Sequence, residues 1–211
     1  MGLFSANKQD PATAERDERL QRADLECRAL KSQVEDLQEL VRHLDEDRDL
    51  LLGALAGLRP GEDPGVLAQT LLDLCFKPMD LACFYVALAD WDQDELRFVL
   101  YQEGGRIRSH PPRRLSEGRG LSEKVLSSRQ PIYIRTLEAG RAAGSLMTAA
   151  EEATGLIPHS WYGVPLGWGP RPEGLVSFQS FHTDAFSESR RRVMDALGAL
   201  ISTCMSARQA P

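Results

Sequence analysis

The sequence predicts an α+β fold, with a central antiparallel sheet flanked by helices and a long coiled-coil helix at the N-terminus. Residues 12–59 contain no proline and are rich in the helix formers Ala, Leu, Glu, Arg and Gln. Residues 62–208 alternate short apolar, strand-like segments with amphipathic helical ones. Between them, residues 59–65 (RPGEDPG) hold two prolines and two glycines, which end a helix. We therefore predict a flexible tail over residues 1–11, a coiled coil over 12–59 and a globular domain over 62–208.

The N-terminal segment repeats apolar residues with a period of seven. Leucine fills every d position of this heptad except the first, and valine fills two central a positions. Valine at a with leucine at d favours a parallel two-stranded coiled coil. Two g-to-e′ pairs in this register, Arg19 with Asp24 and Glu26 with Lys31 of a second copy, are opposite in charge. The predicted dimer seam consists of Leu30, Val34, Leu37, Val41, Leu44 and Leu51.

A single amphipathic helix packed on its own domain is the alternative interpretation of this pattern. A seven-residue period drifts by about 20° per heptad on a straight helix, so six repeats fit the coiled coil better. Arg48 falls at an a position, where two like charges would meet, and residues 50–52 widen the apolar face with three leucines. We therefore expect the two-stranded seam to open near residues 48–56.

The pattern of apolar residues in the globular segment predicts the order of its strands and helices. Apolar or alternating runs predict five strands, at residues 81–88, 95–101, 131–135, 161–168 and 174–181. Helical patterns predict three helices, at residues 66–75, 120–126 and 187–207. Ser187 is a suitable N-cap for the last helix. Residues 137–156 are rich in Ala and Glu but hold three glycines, which indicates a broken helix or a loop.

Four short segments of this sequence, taken in chain order, resemble the GAF family of sensory and interaction domains. Residues 120–134 are similar to that family's segment of glycine, short helix and Pro-led strand, and residues 160–166 to its strand ending in Val-Pro-Leu. Residues 174–178 resemble the next strand, which opens on glycine, and residues 185–188 the start of the closing helix. The resemblance implies a central antiparallel sheet with the terminal helices on one face. It also implies a pocket on the other face, closed by residues 135–160.

GAF domains bind cyclic nucleotides, tetrapyrroles, haem or small metabolites, or dock partner proteins, so the resemblance leaves several functions open. The cyclic-nucleotide type carries an acidic pair after a phenylalanine, but the residues four and five positions after Phe186 are arginines. The bilin-binding type commonly has a Cys-His pair, which this sequence lacks. The methionine-sulfoxide-reducing type uses clustered pocket cysteines, whereas Cys75 and Cys83 both sit in apolar runs.

Two groups of residues are candidate sites. The candidates for lining the pocket are aromatic or titratable side chains near the predicted strands: Tyr85, Tyr133, His159, Trp161 and Phe178. The second group is a basic stretch in an acidic protein: Arg106, Arg108, Arg113, Arg114 and Arg119. This stretch is either a solvated loop or a site for an anion or an acidic partner, because arginine binds carboxylates and phosphates bidentately.

Composition excludes several function classes. The net charge of −6 and the pI near 5.3 argue against general nucleic-acid binding. No apolar run reaches the roughly 18–20 residues of a membrane span, and the N-terminus lacks the order of a signal peptide. The four cysteines are widely spaced, which favours reduced thiols and a cytoplasmic location. The histidines have no metal-ligand spacing, and no nucleophile elbow or phosphate-binding loop occurs, so we predict no metal, no cofactor and no enzyme activity.

These observations favour a non-enzymatic, homodimeric signalling or scaffold protein whose GAF-like domain docks a partner protein. The alternative is a small-molecule sensor whose pocket is coupled to the coiled coil. The sequence names neither the ligand nor the partner.

Overall fold

The computed structural model describes residues 11–118, 120–146, 148, 151 and 155–207. The predicted tail lies outside these residues except for Pro11, which begins helix α1 (Pro11–Gly57). The chain divides into two compact units between Glu46 and Asp47. No helix among the described residues is long and apolar enough to cross a membrane.

The first unit consists of α1 as far as Glu46. Ion pairs one turn apart stabilise it along its polar face, such as Arg19–Glu15 at 2.8 Å and Arg28–Asp24 at 2.6 Å. Each such pair contributes about 0.2–0.5 kcal/mol. Five of the six predicted seam residues are more than half exposed in the single chain: Leu30, Val34, Leu37, Val41 and Leu44. This unit thus presents an apolar stripe that no residue of its own helix covers.

The second unit begins at Asp47, so the last turns of α1 belong to the globular domain. Leu50, Ala54 and Leu58 are buried in the domain's core. Leu51, predicted as a seam residue, packs partly buried against the same core, and this corrects its assignment. The predicted coiled-coil range, residues 12–59, thus includes residues that pack against the domain core, and these begin next to Arg48, where the seam was expected to open.

The remaining helices and strands follow the predicted order. The helices are α2 (Pro64–Cys75), α3 (Leu121–Ser128), α4 (Leu137–Ala142) and α5 (Glu188–Ser206), with a short 3₁₀ turn at Leu115–Glu117. The strands are β1 (Cys83–Asp90), β2 (Glu95–Glu103), β3 (Arg106–Ile107), β4 (Arg113–Arg114), β5 (Ile132–Ile134), β6 (Ser160–Leu166) and β7 (Gly174–Ser180). The five predicted strands are confirmed, and the two-residue strands β3 and β4 were not predicted.

The sheet is antiparallel, with the order β3-β2-β1-β7-β6-β5 and with β4 paired to β2. A bulge between Val86 and Ala87 shifts the register of β1 against β2. Side-chain caps begin the helices: Asp63 accepts the N–H of Gly65 at α2, and Ser187 accepts the N–H of Arg190 at α5. The predicted N-cap at Ser187 is confirmed.

Each face of the sheet covers its own core, because successive strand residues point to opposite faces. Phe84, Val86 and Phe178 point to the face covered by α2, α5 and the end of α1. Tyr85 and Trp161 point to the other face, where α3 packs. Gly198 of α5 lies so close to the sheet that a Cβ there would come within 2.6 Å of Val164. The terminal helices thus occupy one face, as the GAF resemblance implies.

Candidate functional site: a cavity on the sheet face opposite the terminal helices

A cavity of about 230 Å³ opens on the face of the sheet that carries α3 and α4. Described residues of the 135–160 segment form part of its wall, among them Leu137, Gly140, Leu146 and Pro158. Its volume lies below the roughly 300–1,000 Å³ of drug-sized ligand sites. The geometry therefore fits a small metabolite.

Trp161 forms the floor of the cavity, and its position depends on a glycine two residues along the same strand. The indole is 6% exposed. A Cβ at Gly163 would lie 2.0 Å from the Cη2 atom of Trp161, so the ring lies directly over this glycine. Residues two apart on a strand share a face, which explains why only glycine fits beside this tryptophan.

An aromatic cluster forms one wall. Tyr85 stacks on Tyr101 with 5.5 Å between ring centroids, and Phe98 packs edge-on against both rings. The His110 ring lies 4.1 Å from that of Phe98, and the Arg113 guanidinium lies 5.3 Å from it on centroid distances. This wall is mainly aromatic, with the Phe98 ring at a steep angle to both tyrosine rings, and Arg113 lies beside it.

Three polar side chains meet beside this wall. The Tyr85 hydroxyl and Ser122 Oγ are 2.9 Å apart, and Arg113 Nη2 donates a hydrogen bond to Ser122 Oγ at 3.2 Å. Tyr85 and Ser122 are both almost fully buried. Burial raises the pKa of the Tyr85 hydroxyl, while hydrogen bonds with Ser122 and Ser177 oppose that change. The trio therefore presents neutral hydroxyls and one cation to the cavity.

Glu123, which is not one of the residues that line the cavity, forms an ion pair with Arg113. Glu123 Oε1 lies 3.4 Å from Arg113 Nε, and the glutamate side chain is only 5% exposed. Burial raises the pKa of the Glu123 carboxyl, and the charge of Arg113 partly opposes this effect. The ion pair restricts the rotamer of Arg113 and so fixes its guanidinium at the cavity wall.

A second polar group lies at Thr148 and Glu151. The Thr148 N–H donates to Glu151 Oε2 at 2.6 Å, and the Thr148 hydroxyl donates to Glu103 Oε1 at 2.7 Å. Burial raises the pKa of the Glu151 carboxyl, against the hydrogen bond from Thr148. These bonds tie the segment that closes the cavity to the end of β2.

The structure separates the five predicted pocket residues into two groups. Tyr85, His159 and Trp161 line the cavity. Phe178 is fully buried in the core under the terminal helices, and Tyr133 packs against that same core. The assignment of Tyr133 and Phe178 to the pocket is therefore corrected, because both point to the opposite face of the sheet.

The predicted basic stretch does not form one patch. Arg113 turns inward to the cavity, whereas Arg106 and Arg108 lie at an exposed sheet edge, where Arg108 Nε is 3.4 Å from Glu103 Oε2. Arg114 is exposed on β4, and Arg119 lies outside the described residues. Arg113 is thus the one arginine of this stretch, among those the structure describes, that lines the cavity.

The cysteines do not gather at the cavity. Burial raises the pKa of the Cys75 thiol to about 12 and raises that of Cys83 still further from its usual range. Cys83 receives a 3.4 Å hydrogen bond from the Gln179 amide and borders a separate recess. Within the part of the chain that the structure describes, no group of three or more His, Cys, Asp or Glu side chains is placed to hold a metal ion.

The sequence patterns do not identify several residues of the cavity wall. The sequence places Ser122 in the segment that resembles the GAF family and Phe98 in the strand predicted at residues 95–101, but it does not indicate that either lines a pocket. The alternation of apolar residues on β2 does indicate that Phe98 shares a face with Leu96. Its pairing with Ala87 depends on the bulge in β1, which no local pattern indicates.

A six-stranded antiparallel path, with the terminal helices on one face and a cavity on the other, defines this α+β domain. Residues 61–206 match the GAF domain family, which covers well over half of the chain. The chain therefore belongs to the GAF domain family. Among curated proteins, no relative matches the sequence.

Solved structures share this fold at low identity. The free methionine-R-sulfoxide reductase of Neisseria meningitidis, in complex with its substrate, has a TM-score of 0.63 and 17% identity over 77% of this chain and 90% of its own. The GAF domain of an Acinetobacter phosphoenolpyruvate-protein phosphotransferase scores 0.62 at 15% identity, covering 79% and 93%. A putative GAF sensor protein from Burkholderia vietnamiensis scores 0.61 at 19% identity, covering 80% and 99%. Similarity at this level establishes the fold and leaves the ligand open.

Proposed function

We propose that this chain is a non-enzymatic, homodimeric sensor whose GAF domain binds a small molecule in the cavity over Trp161. The cavity carries this proposal, because it combines an apolar aromatic wall with the converging polar groups of Tyr85, Ser122 and Arg113. Small-molecule sites typically have this composition, with a few placed polar groups in an apolar lining. The sensor hypothesis thus moves ahead of the docking hypothesis that the sequence favoured.

The state of the cysteines supports a role without chemistry. A nucleophilic or redox-active cysteine needs thiolate character and access. The thiols of Cys75 and Cys83 are buried, and their pKa values are raised, so both are protonated at neutral pH. This distinguishes the domain from one that attacks a sulfoxide with a pocket thiolate.

The exposed stripe of α1 supports the homodimer. Leu37 and Val41, like the rest of the stripe, are more than half exposed and follow the heptad. Burying such a stripe against an identical, parallel helix removes apolar surface from water on both copies. We place the paired region before Asp47, in the first unit, and expect a signal from the domain to pass into it through the continuous helix α1.

Reversible removal of the ligand tests the sensor proposal. Protein purified from its host is unfolded, dialysed free of small molecules and refolded, and its thermal midpoint is compared with that of the untreated protein. We expect the stripped protein to melt at a lower temperature and a small-molecule extract of the same host to restore the midpoint, because a ligand that binds only the folded state stabilises it. Identical midpoints with and without the extract contradict the proposal.

A docking role remains the second candidate, supported by the sheet edge at β3. Ile107 is 61% exposed between two arginines, on a two-residue strand at the end of the sheet. An edge strand of this kind can pair with an added strand. Affinity capture with the intact protein and with Ile107→Asp separates the two: a partner lost only by the variant supports docking, and equal capture by both contradicts docking at this edge.

A further inference from the structure

Resting on the proposed sensor function, we infer that the ligand is a planar heterocycle of one or two rings that stacks on Trp161 and donates a ring N–H to Gln179. Three features of the described residues support this inference: the place of Gln179 beside the indole, the hydrogen bonds of its amide, and the size of the cavity.

Gln179 lies directly beside Trp161 on the sheet. The two residues are register partners on β7 and β6, and both line the cavity. Residues directly opposite each other on antiparallel strands point to the same face, with Cβ atoms about 4.5–5.5 Å apart. Both side chains are more than nine-tenths buried, with 6% of Trp161 and 8% of Gln179 exposed. The amide of Gln179 therefore borders the floor that the indole forms.

The amide of Gln179 has a free acceptor. Its nitrogen donates to Ser177 Oγ and to Cys83 Sγ, each at 3.4 Å, and these two bonds use both amide hydrogens. Its oxygen, Oε1, accepts no hydrogen bond from any residue that the structure describes, and it is not enclosed in the core. Because Gln179 lines the cavity, this oxygen opens into it.

A ligand that covers this oxygen must supply a donor. Water can donate to an amide oxygen that is open to solvent. A ligand that displaces the water leaves the acceptor buried and unpaired, which costs free energy, unless the ligand brings its own N–H or O–H. Because the nitrogen of Gln179 is already bound within the protein, the amide favours ligand donors over ligand acceptors.

The Trp161 indole determines the direction of that donor. One side of the ring lies over Gly163, where a Cβ would come within 2.0 Å of Cη2, and the ring also lines the cavity. A planar ring in the cavity can therefore stack on the indole with an offset. A ring N–H points outward in the plane of its ring, so a stacked heterocycle directs it sideways, towards the register position of Gln179. A hydroxyl or an amine on a flexible chain lacks this fixed direction.

The size of the cavity limits the rest of the ligand. The volume of about 230 Å³ equals the share of about eight water molecules at roughly 30 Å³ each. The rings of Tyr85 and Phe98 add aromatic surface beside the floor. One or two fused rings fit these limits, and a tetrapyrrole does not.

Pairs of compounds that differ only in the donor test the inference in the full-length protein. In coumarin, 2-pyranone and benzofuran, an oxygen atom replaces the ring N–H of 2-quinolone, 2-pyridone and indole at nearly the same size. Protein labelled with 5-fluorotryptophan is titrated with each compound. The chain has three tryptophans, and of these only Trp161 lines the described cavity, so its fluorine signal, assigned with Trp161→Phe, reports binding there. We expect at least one N–H compound to shift this signal and to bind about tenfold more tightly than its oxygen counterpart, as for one buried hydrogen bond.

Two glutamine variants locate the hydrogen bond. Gln179→Met keeps the length of the side chain and removes the acceptor, so the N–H compound and its oxygen counterpart should bind it with nearly equal affinity. Gln102→Met is the matched control, because Gln102 is a 3% exposed glutamine of the same sheet whose register partner, Phe84, belongs to the core under the terminal helices. This variant should keep the full preference for the N–H compound.

The outcomes separate this inference from the function on which it rests. Oxygen compounds that bind as tightly as their N–H counterparts, or a preference that Gln179→Met leaves unchanged, overturn the inference. A Trp161 signal that shifts with a small-molecule extract of the host, but with none of the compounds, also overturns it and leaves the sensor intact. A signal that neither the compounds nor the extract shifts overturns both.

Discussion

Asp47 and Arg190 form a buried ion pair, with 3.0 Å between Asp47 Oδ1 and Arg190 Nη1. The Ser189 hydroxyl donates a hydrogen bond to the other carboxylate oxygen at 3.1 Å. Asp47 is the first residue of the domain unit, and Arg190 lies in the first turn of α5. The pair therefore fixes the last turns of α1 to the closing helix, at the place where the domain begins.

Removing one partner of this pair should destabilise the domain strongly. Asp47→Ala removes the carboxylate that faces the buried Arg190 guanidinium, and loss of one member of a buried pair costs about 3–5 kcal/mol. Urea denaturation of the full chain measures the change in the free energy of unfolding. Asp49→Ala removes an exposed carboxylate two residues away and should cost less than about 0.5 kcal/mol. If the two substitutions lower the free energy of unfolding equally, the buried pair stabilises the domain no more than an exposed carboxylate does.

A methyl group at Gly163 should displace the Trp161 indole. A Cβ at this position lies 2.0 Å from the ring, so Gly163→Ala forces the side chain out of its place at a cost of about 1–3 kcal/mol. The same variant should weaken ligand binding, because the floor of the cavity moves. Gly169→Ala is the matched control, since its Cβ meets only ordinary contact at 3.7 Å. A Gly163→Ala protein whose stability and intrinsic tryptophan fluorescence are both unchanged contradicts this packing.

The stability contribution of Glu123 should depend on pH with a defined sign. Burial raises the pKa of this carboxyl above its ordinary value of 4.5. The folded state therefore holds the proton more tightly, gains stability as the pH falls towards 4.5, and loses that gain as the pH rises through the raised pKa.

Glu123→Gln cannot ionise, so it should remove this dependence. We expect the free energy of unfolding of the variant minus that of the wild type to be larger at pH 7 than at pH 4.5, measured by urea denaturation at both values. Asp92→Asn, which removes an exposed acid in the turn between β1 and β2, should show no such difference. A constant difference for Glu123→Gln across this window contradicts the effect of burial.

Charges in the exposed stripe of α1 should dissociate the dimer. Leu37→Asp with Leu44→Asp places four carboxylates in the proposed seam of a dimer, where they are buried and repel one another. Light scattering should report a monomer for this variant and a dimer for the wild type. Leu25→Asp is the control, because Leu25 is 66% exposed but lies outside the a and d positions. If Leu25→Asp dissociates the dimer as effectively as the double variant, the heptad register is wrong.

The order of elements and the region near residue 48 where the seam opens were predictable from the sequence, but the packing of Leu51 in the domain core was not. Heptad counting treats Leu37 and Leu51 alike, since both are leucines at d. The structure distinguishes them because α2 and α5 reach the helix only after Asp47, and Leu51 packs against their core. Arg48 and the three leucines at residues 50–52 were the local signs of this change. Tertiary packing, which a periodic pattern does not contain, decides the rest.

The residues of the pocket were also only partly predictable from the sequence. Aromatic residues near strands were correctly singled out, but strand alternation assigns them to one of two faces without saying which face holds the cavity. Trp161 and Tyr162 are neighbours, and only Trp161 faces it. Arg113 enters the wall from a two-residue strand whose pairing with β2 is set by long-range register. Its role was therefore visible only in the folded domain.

Native mass spectrometry of the freshly purified, full-length protein tests the central claim most directly. The account predicts a dimer that carries one additional small mass per chain, released on collisional activation and smaller than a drug-sized compound. A dimer whose mass equals that of two bare chains, under conditions gentle enough to preserve the dimer itself, would contradict the sensor.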